Sequence, residues 1–435
     1  MNTQNNNVNE SRSWSLERST ATALDIADPL ARQRAKFHLP INTDGNPQTY
    51  LCGHSLGLQP KSTAGLINEE LLVWQTQAVE GHFGKPRPWL SYHELLTPGL
   101  AELTGALPIE VVAMNSLSVN LHLLLTSFYR PTTQRRKILI EASAFPSDRY
   151  AVCSQLQLHG YDPADNLLEL RPRAGEDLLR TEDIVALLEH EGASIATVLL
   201  PGVQYLTGQW LDLPAISRVA QQQGCTVGID LAHAIGNVPL QLHDWNIDFA
   251  VWCSYKYLNS GPGSIGGAFV HERHAHNFDL PRLAGWWGHD KTTRFNMPQN
   301  FVPLPGAEGW QLSNPPILAC APLLASLQIF QDAGIKALRK KSLQLTAYLE
   351  HLLQAQLAGR ISLITPKDAA ARGCQLSLRL HCEREQARKV HQQLLLQGLI
   401  CDWREPDVIR VTPIPLYNRH VDVWQFVQAL QALLA

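Results

Sequence analysis

Short apolar runs alternate with helical patterns through the middle of the chain. Between positions 137 and 270, runs such as KILIEAS, ATVLLPGV, CTVGIDLAHA and FAVWCSYKYL are separated by amphipathic segments such as TEDIVALLEHE and LPAISRVAQQQG. Apolar runs of this length with helical segments between them are typical of βαβ units, which place parallel strands side by side. The pattern therefore predicts an α/β fold with a mostly parallel central sheet and helices on both faces.

The pattern changes towards both ends of the chain. From about position 39 to 60 the sequence is rich in Pro, Gly and Asn, which predicts a segment made mostly of loops. From about position 318, long amphipathic helices precede two short strand patterns and a closing amphipathic helix, which predict a smaller α+β domain. We therefore divide the chain into an N-terminal arm and loop (1–60), a large domain (61–317) and a small C-terminal domain (318–435).

The composition and charge of the chain argue against a nucleic acid or a membrane as its binding partner. The 435 residues carry a formal net charge of -3, and no basic stripe offers a nucleic-acid backbone a binding surface. The polar start has no apolar signal segment, and no run of about 18 apolar residues predicts a membrane span. The eight cysteines are scattered without a CxxC pair, which favours reduced thiols. We expect a cytoplasmic protein that acts on small molecules, without a membrane or nucleic-acid partner.

Lys256 is the first candidate for chemistry. It lies in AVWCSYKYLNSGPG, between an apolar strand and a glycine-rich turn, and the aromatic neighbours argue against full exposure. An exposed lysine at a strand end is the alternative interpretation. A lysine in a desolvated place has a lowered pKa and becomes a nucleophile for an aldehyde. The position therefore predicts that pyridoxal 5'-phosphate (PLP) is held as a Schiff base on Lys256.

Asp230 and His233 have the positions that such a cofactor requires. PLP needs an anion beside its pyridine nitrogen, and Asp230 ends the apolar run TVGID, at the carboxyl end of a predicted strand where α/β proteins bind ligands. Taken alone, Asp230 could equally cap a helix or a turn. The following DLAHA places His233 one helical turn onward on the same side. Together with Lys256, the two residues favour a cofactor site.

The cofactor phosphate needs hydroxyl and amide donors, which helix N-termini supply. In MNSLSVNLHLLL, Ser116 and Ser118 stand at the start of an apolar helix, with amides from Leu117 and Ser118. An ordinary helix cap explains this segment equally well.

Two other motifs do not carry chemistry. GPGSIG matches the dinucleotide fingerprint GxGxxG, but GGAFV follows it and predicts a strand instead of the required helix. HERHAH lacks the spacing of a metal-binding motif, so we expect a solvated charged turn and no metal.

Seven segments, in order, resemble the kynureninase family: NSLSVN, FPSD, DLAHAIGN, SYKYLNSGPG, AGWWGHDKTTRF, GWQLSNPPIL and IRVTPIPLYN. The resemblance extends over nearly the whole chain from about position 53. It implies a fold type I PLP-transferase-like fold, PLP as cofactor, and a homodimer with shared active sites. The polar N-terminal arm matches nothing in the family, and Pro201 stands where some members have Ser.

The resemblance also implies residue roles. Lys256 would form the Schiff base, Asp230 would pair with the pyridinium nitrogen and Phe145 would stack on the ring. The other implied cofactor contacts are Leu117, Ser118 (often Thr in the family), Pro146, Ser147, Asp148, His233, Tyr255, Trp286 and Asn314, the last two from the neighbouring subunit. The implied substrate contacts are Ser55, His82, Ser313, Asn314 and Arg410, of which Arg410 would bind the substrate carboxylate.

The reaction that the resemblance implies is hydrolysis of the Cβ–Cγ bond of L-kynurenine or 3-hydroxy-L-kynurenine. The products are L-alanine and anthranilate or 3-hydroxyanthranilate, in tryptophan catabolism or NAD biosynthesis. Lys256 would act as the general base at Cα, and Tyr255 would relay protons. His82, Ser313 and Asn314 resemble the members that prefer the 3-hydroxy substrate.

Two alternatives stay open. Another fold type I enzyme, such as a cysteine desulfurase or an aminotransferase, would share the fold and the lysine. A desulfurase needs a mobile nucleophilic cysteine, which no loop motif here offers. A regulator that binds PLP without turnover would keep Lys256 but release no anthranilate.

Overall fold

The architecture comes from a computed structural model that describes residues 14–435. The helices in this range are α1 (Arg18–Ile26), α2 (Thr63–Gln77), α3 (Thr97–Thr104), α4 (Leu117–Phe128), α5 (Pro146–Leu158), α6 (Pro163–Asn166), α7 (Thr181–Glu191), α8 (Leu213–Gln222), α9 (Ile317–Ala333), α10 (Ile335–Leu357), α11 (Arg384–Leu396) and α12 (His420–Leu434). The strands are β1 (Thr49–Tyr50), β2 (Val111–Ala113), β3 (Lys137–Glu141), β4 (Leu167–Leu170), β5 (Ile195–Pro201), β6 (Thr226–Asp230), β7 (Phe249–Trp252), β8 (Gly267–Val270), β9 (Ile361–Leu363), β10 (Leu376–Leu380), β11 (Leu399–Ile400), β12 (Asp402–Arg404) and β13 (Val408–Val411).

The central sheet has seven strands within the described residues, in the order β2-β8-β7-β6-β5-β3-β4. Neighbouring strands from β7 to β4 run parallel, whereas β8 is antiparallel to both β7 and β2. Successive side chains alternate between two cores: Ile138 and Ile140 pack with α4 and α5, and Leu139 packs with α7 and α8. Burial on both faces explains the continuous apolar runs and confirms the predicted mostly parallel sheet.

A second, four-stranded antiparallel sheet of order β12-β13-β10-β9 lies in the C-terminal part. Its core packs against α10, α11 and α12 through residues such as Leu378, Tyr348 and Phe426. The N-terminal segment is attached to this region: β1 pairs parallel with β11, and the Asp25 carboxylate at the end of α1 accepts the His420 backbone N–H at 2.6 Å. The domain boundaries at 60 and 317 remain predictions.

Two local predictions are wrong. His271, placed by the sequence in a solvated turn, is buried because β2 and β8 pair and bring Glu110 to within 3.7 Å of its Nδ1. Its ring also stacks on His243, with ring centroids 4.9 Å apart. The segment after Asp230 is not helical but forms consecutive turns from 232 to 237.

No single helix among residues 14–435 is both long and apolar enough to cross a membrane; α9 and α10 satisfy those criteria only as a pair bent by 80°.

Candidate active site

A pocket opens at the carboxyl ends of β3, β5, β6 and β7, beside the first turns of α4 and α5. It is lined by Ser116, Leu117, Ser118, Ile140, Glu141, Ala144, Phe145, Ser147, Asp148, Leu199, Leu200, Pro201, Val203, Tyr205, Asp230, Ala232, His233, Cys253, Tyr255, Lys256, Gly263 and Ser264. The topology explains the convergence, since parallel strands end at the same edge of the sheet. Most of the residues predicted for the cofactor therefore share one cavity.

Lys256 follows β7 and reaches into this pocket. Its Nζ lies 3.1 Å from His233 Nε2 and 5.7 Å from the centroid of the Phe145 ring. Burial, followed by the charges of Lys256 and Arg410, lowers the pKa of His233 well below its usual range. His233 is therefore neutral, and the Lys256 amine faces an imidazole instead of a carboxylate.

The backbone at Lys256 is fixed from the loop that precedes α2. The Gly57 N–H donates to the Tyr255 carbonyl at 2.8 Å. A Cβ at Gly57 would lie 2.3 Å from the Lys256 carbonyl oxygen, so only glycine allows this close approach. The loop thereby sets the direction from which the lysine enters the pocket.

Three buried carboxyl groups surround the far side of the pocket. Asp230 ends β6, Glu141 ends β3, and Asp148 lies in the first turn of α5. Burial raises the pKa of Glu141 to about 7. Burial raises the pKa of Asp148 and Asp230 as well; the charge of Asp230 adds to the effect at Asp148, and Lys256 opposes both shifts. Glu141 was not among the predicted residues, although its place at a strand end is the signal that identified Asp230.

The first turns of α4 and α5 face each other across the other end of the pocket. Ser118 Oγ and Ser147 Oγ are 2.7 Å apart, and the first backbone amides of a helix have no partner within it. Ser116 precedes α4 without capping it through its side chain, which leaves those amides available. Hydroxyls and amides of two helix N-termini make a site for a dianion such as a phosphate ester.

The residues that line this pocket are suited to binding PLP, for two structural reasons. The Asp148 Oδ1 and His233 Nδ1 atoms are buried without a hydrogen-bond partner, which is costly unless a ligand supplies one. Phe145 is 42% exposed, and the Lys256 amine lies over the face of its ring. An aromatic side chain in this position could stack on the flat ring of the cofactor. An amine, a buried acid pair, an anion site and a ring face thus occur in one cavity.

Arg410, predicted for the substrate carboxylate, and Ser55, predicted as a substrate contact, lie together next to this pocket. Arg410 is 1% exposed, and its Nη2 lies 3.4 Å from Ser55 Oγ. Its Nη1 donates to the Tyr205 carbonyl at 2.7 Å, and Tyr205 lines the pocket. Asp402, which the sequence did not single out, accepts from Arg410 Nε at 2.6 Å.

Four other predicted residues lie outside the pocket of one chain. His82 packs on Trp89, with ring centroids 5.3 Å apart, and its Nδ1 lies 2.9 Å from the Val79 carbonyl oxygen. Trp286 is 45% exposed and donates through Nε1 to the Arg294 carbonyl at 3.2 Å. Ser313 and Asn314 are exposed. Their roles remain predictions that a second chain would have to satisfy.

Side-chain clusters that could hold a metal ion occur elsewhere in residues 14–435. They are Cys52, His54 and Asp402; Glu110, His243 and His271; and His93, Glu94 and Glu308. The first adjoins the Arg410 guanidinium and the third adjoins Lys291, which disfavour a cation there. The expectation of no metal remains a prediction.

Comparison with solved structures identifies the fold. A C-DES variant with glycine covalently linked to the PLP cofactor aligns with a TM-score of 0.74 at 18% identity, covering 88% of this chain and 96% of that one. The cysteine desulfurase CsdA from Escherichia coli aligns with a TM-score of 0.73 at 18% identity, covering 93% and 98%. The fold is that of the fold type I PLP enzymes, as predicted.

Sequence comparison gives a narrower result. A sequence profile described as the kynureninase C-terminal domain matches residues 338–430. The protein named kynureninase from Koribacter versatilis (strain Ellin345) is 55% identical over 414 residues, covering 95% of this chain and 97% of the relative. The one from Myxococcus xanthus (strain DK1622) is 57% identical over 413 residues, covering 95% and 96%. With this similarity over nearly its full length, and with Lys256, Asp230 and Phe145 gathered in one pocket, the chain belongs to the kynureninase family.

Proposed function

We propose that this chain is a PLP-dependent kynureninase that hydrolyses the Cβ–Cγ bond of L-kynurenine or 3-hydroxy-L-kynurenine. The products are L-alanine and anthranilate or 3-hydroxyanthranilate. The observation that carries the proposal is the Lys256 amine, 3.1 Å from a neutral His233 and in one pocket with Asp230, in a chain 55% identical to a protein named kynureninase. When bound, PLP supplies an electron sink for cleavage at the substrate carbons.

The cofactor is held at three places in this proposal. The first-turn amides of α4 and α5, with the hydroxyls of Ser118 and Ser147, bind the phosphate. The Asp230 carboxylate pairs with the pyridine nitrogen, and its Oδ1 is oriented by the Ala232 backbone N–H at 2.7 Å. Phe145 covers one face of the ring. The remaining predicted contacts, Leu117, Pro146, Asp148 and His233, complete the enclosure.

Lys256 and Tyr255 are the proposed proton-transfer residues. The Lys256 amine accepts the substrate Cα proton, because it reaches into the pocket and its nearest partner there is the His233 imidazole and not a carboxylate. Burial raises the pKa of Tyr255, which keeps the phenol protonated and able to donate from Oη. Arg410 binds the substrate carboxylate with Ser55 beside it, which fixes the orientation of the reacting bond.

We also propose that the active enzyme is a homodimer with shared sites. The position of Trp286 and Asn314 outside the pocket of one chain supports this. So does a group of exposed apolar side chains on α2 and the following turns, namely Leu72, Trp74, Val79 and Phe83, each 57% exposed or more. The eight cysteines are free thiols, which supports a reducing compartment such as the cytoplasm. A role in tryptophan catabolism or NAD biosynthesis completes the proposal.

His82, Ser313 and Asn314 would favour 3-hydroxy-L-kynurenine, because polar groups without a partner penalise the substrate that lacks the hydroxyl. The ratio of kcat/KM for the two substrates tests this. We expect a higher value for the 3-hydroxy form, and a higher value for kynurenine would contradict it.

One experiment separates the proposed function from its alternatives. The purified, PLP-loaded protein is offered L-kynurenine, 3-hydroxy-L-kynurenine and L-cysteine in parallel, and anthranilates, alanine and sulfide are measured. We expect anthranilate or 3-hydroxyanthranilate with equimolar alanine. Sulfide without an anthranilate would identify a desulfurase; the cysteine that lines the pocket, Cys253, is buried and has a raised pKa, which disfavours a thiolate. PLP binding without any of these products would contradict the proposed function and leave an aminotransferase or a non-catalytic regulator.

A further inference from the structure

The Arg410 guanidinium is held along one edge by a carboxylate. Asp402 Oδ2 lies 2.6 Å from Arg410 Nε and 2.5 Å from Nη2. The pairing of β12 with β13 places the two residues directly opposite each other. The side-chain contact is therefore built into the register of the small sheet.

The other edge of the guanidinium is bounded by Tyr205, which lines the pocket, and by Ser55, a predicted substrate contact. Nη1 donates one hydrogen to the Tyr205 carbonyl, and Nη2 lies 3.4 Å from Ser55 Oγ. The Tyr205 carbonyl also accepts from Gln375 Nε2 at 2.9 Å, which keeps it in place. Two of the five guanidinium hydrogens face Asp402, one is donated to the Tyr205 carbonyl and one lies on the long contact with Ser55 Oγ. One Nη1 hydrogen is therefore free, and a carboxylate ligand can take the place of the long Ser55 contact at Nη2.

Asp402 is itself firmly anchored. Arg404 Nε lies 2.9 Å from its Oδ2, and the buried His54 Nε2 lies 3.8 Å from the same oxygen. Burial and the Arg410 charge lower the pKa of His54 to about 3, so His54 is neutral and Asp402 balances two arginines. Asp402 stays with Arg410 instead of pairing with a cationic imidazole.

We propose that Asp402 is a positioning residue for the substrate. It holds the Nε/Nη2 edge of Arg410 so that the Nη1/Nη2 edge meets the substrate carboxylate. The inference rests on the proposed function, in which Arg410 binds that carboxylate. A second effect has the opposite sign: the Asp402 charge also weakens the attraction between Arg410 and an anion. Because a bidentate contact depends on orientation, positioning outweighs this attenuation.

The Asp402→Asn variant decides between the two effects. It keeps the shape of the side chain and removes the charge that aligns Arg410. We expect the KM for the kynurenine substrate to rise about 10- to 100-fold, the equivalent of one charged hydrogen bond, while kcat changes little. The dissociation constant of the decarboxylated amine analogue of kynurenine, measured by visible spectroscopy on the PLP-loaded enzyme, should stay unchanged.

The matched control is Asp177→Asn. This carboxylate also pairs with an arginine of the small sheet, Arg379, at 2.8 Å, and within the described residues it shares no hydrogen bond with Arg410. Its KM should equal that of the wild type. Asp402→Glu keeps the charge at a longer reach and should give an intermediate KM; that shift decides the matter if the Asn variant does not fold.

Three outcomes would overturn the inference. An unchanged KM in Asp402→Asn would show that Arg410 does not need Asp402, and a lowered KM would show that charge attenuation dominates. Equal loss of affinity for the decarboxylated analogue would show a general distortion of the pocket. A wild-type enzyme without activity on either kynurenine substrate would instead contradict the proposed function, which separates the two failures.

Discussion

Lys341 and Lys256 show two ways of placing a lysine away from water in the same chain. Lys341 on α10 is 4% exposed, and its Nζ lies 2.8 Å from Asp28 Oδ2, with both side chains 5% exposed. Asp28 is further satisfied by the Leu30 backbone N–H at 2.9 Å. Lys256 is half-buried and has no carboxylate within salt-bridge distance in the described part of the chain; its neighbour is the neutral His233.

A structural charged group has a complete set of partners, whereas a functional one does not. At Lys341 the ammonium and the Asp28 carboxylate are partners of each other, so the pair leaves no charge for a ligand to neutralise. Around Lys256, Asp148 Oδ1 and His233 Nδ1 remain buried without partners, and burial, together with the charge of Asp230, raises the pKa of both Asp148 and Glu141. Buried polar atoms without hydrogen-bond partners destabilise the ligand-free protein. A ligand that supplies those partners is therefore bound more favourably.

The largest effect should come from Lys256→Ala. Loss of the amine that accepts the Cα proton should lower kcat on the kynurenine substrate by about 10⁴-fold or more. The free energy of unfolding of the PLP-free protein should fall by about 1–2 kcal/mol at most, because the hydrogen bond to His233 is lost but no ion pair is broken. Product assays and urea unfolding measure the two quantities. Retained turnover, or a large loss of stability, would remove the distinction between the two lysines.

Lys341→Met should do the reverse. Removing the partner of buried Asp28 should lower the free energy of unfolding by about 3–5 kcal/mol, measured by urea unfolding, while PLP affinity at a temperature where the protein is folded stays the same. The control is Lys389→Met, which breaks an exposed pair with Glu385 and should cost about 0.5 kcal/mol or less. Equal effects of the two variants would contradict the account of the buried pair.

Glu141→Gln should change the pH dependence of stability. The pKa of Glu141 is raised from 4.5 to about 7, so the native state binds its proton more tightly than the unfolded state does. The associated stability is fully present below pH 4.5 and is lost as the pH rises through 7. The variant remains neutral, so its stability relative to the wild type should increase by about 3 kcal/mol between pH 4.5 and pH 8. Urea unfolding of the PLP-free proteins at both pH values measures this, and a pH-independent difference would show that Glu141 titrates normally.

Ser118→Ala should have the smallest effect. Loss of one hydroxyl that donates to the phosphate should weaken PLP binding about tenfold, as one charged hydrogen bond of about 1.5 kcal/mol. Equilibrium dialysis of PLP measures it. Ser154→Ala, on the outer part of α5 where the hydroxyl bonds to the Tyr150 carbonyl, should bind PLP like the wild type. Equal binding by all three proteins would place the phosphate elsewhere.

The fold and much of the pocket could be predicted because their signals are local. A strand buried on both faces is a continuous apolar run, and a charged residue that ends such a run, as Asp230 and Lys256 do, marks the ligand edge of a parallel sheet. Ser118 was identifiable in the same way from the start of an apolar helix. These signals need only a few neighbouring residues.

The missed features depend on contacts between distant segments. Asp402 becomes the partner of Arg410 only through the register of β12 and β13, and a short strand does not specify its register. His271 is buried because β8 pairs with β2, more than a hundred residues earlier in the chain. The packing of α1 on the C-terminal region likewise has no local signal. Glu141 is an exception, because its position at the end of β3 is a local signal of the kind that identified Asp230.

The most direct test is to locate the cofactor bond. The PLP-free protein is saturated with PLP, reduced with borohydride, digested and mapped by mass spectrometry, with the visible spectrum recorded before reduction. We predict a yellow protein with a single phosphopyridoxyl adduct on the peptide that contains Lys256, and neither band nor adduct in Lys256→Ala. A colourless protein, or an adduct on Lys341 or another lysine, would contradict the claim that the incomplete partners around Lys256 mark the catalytic site.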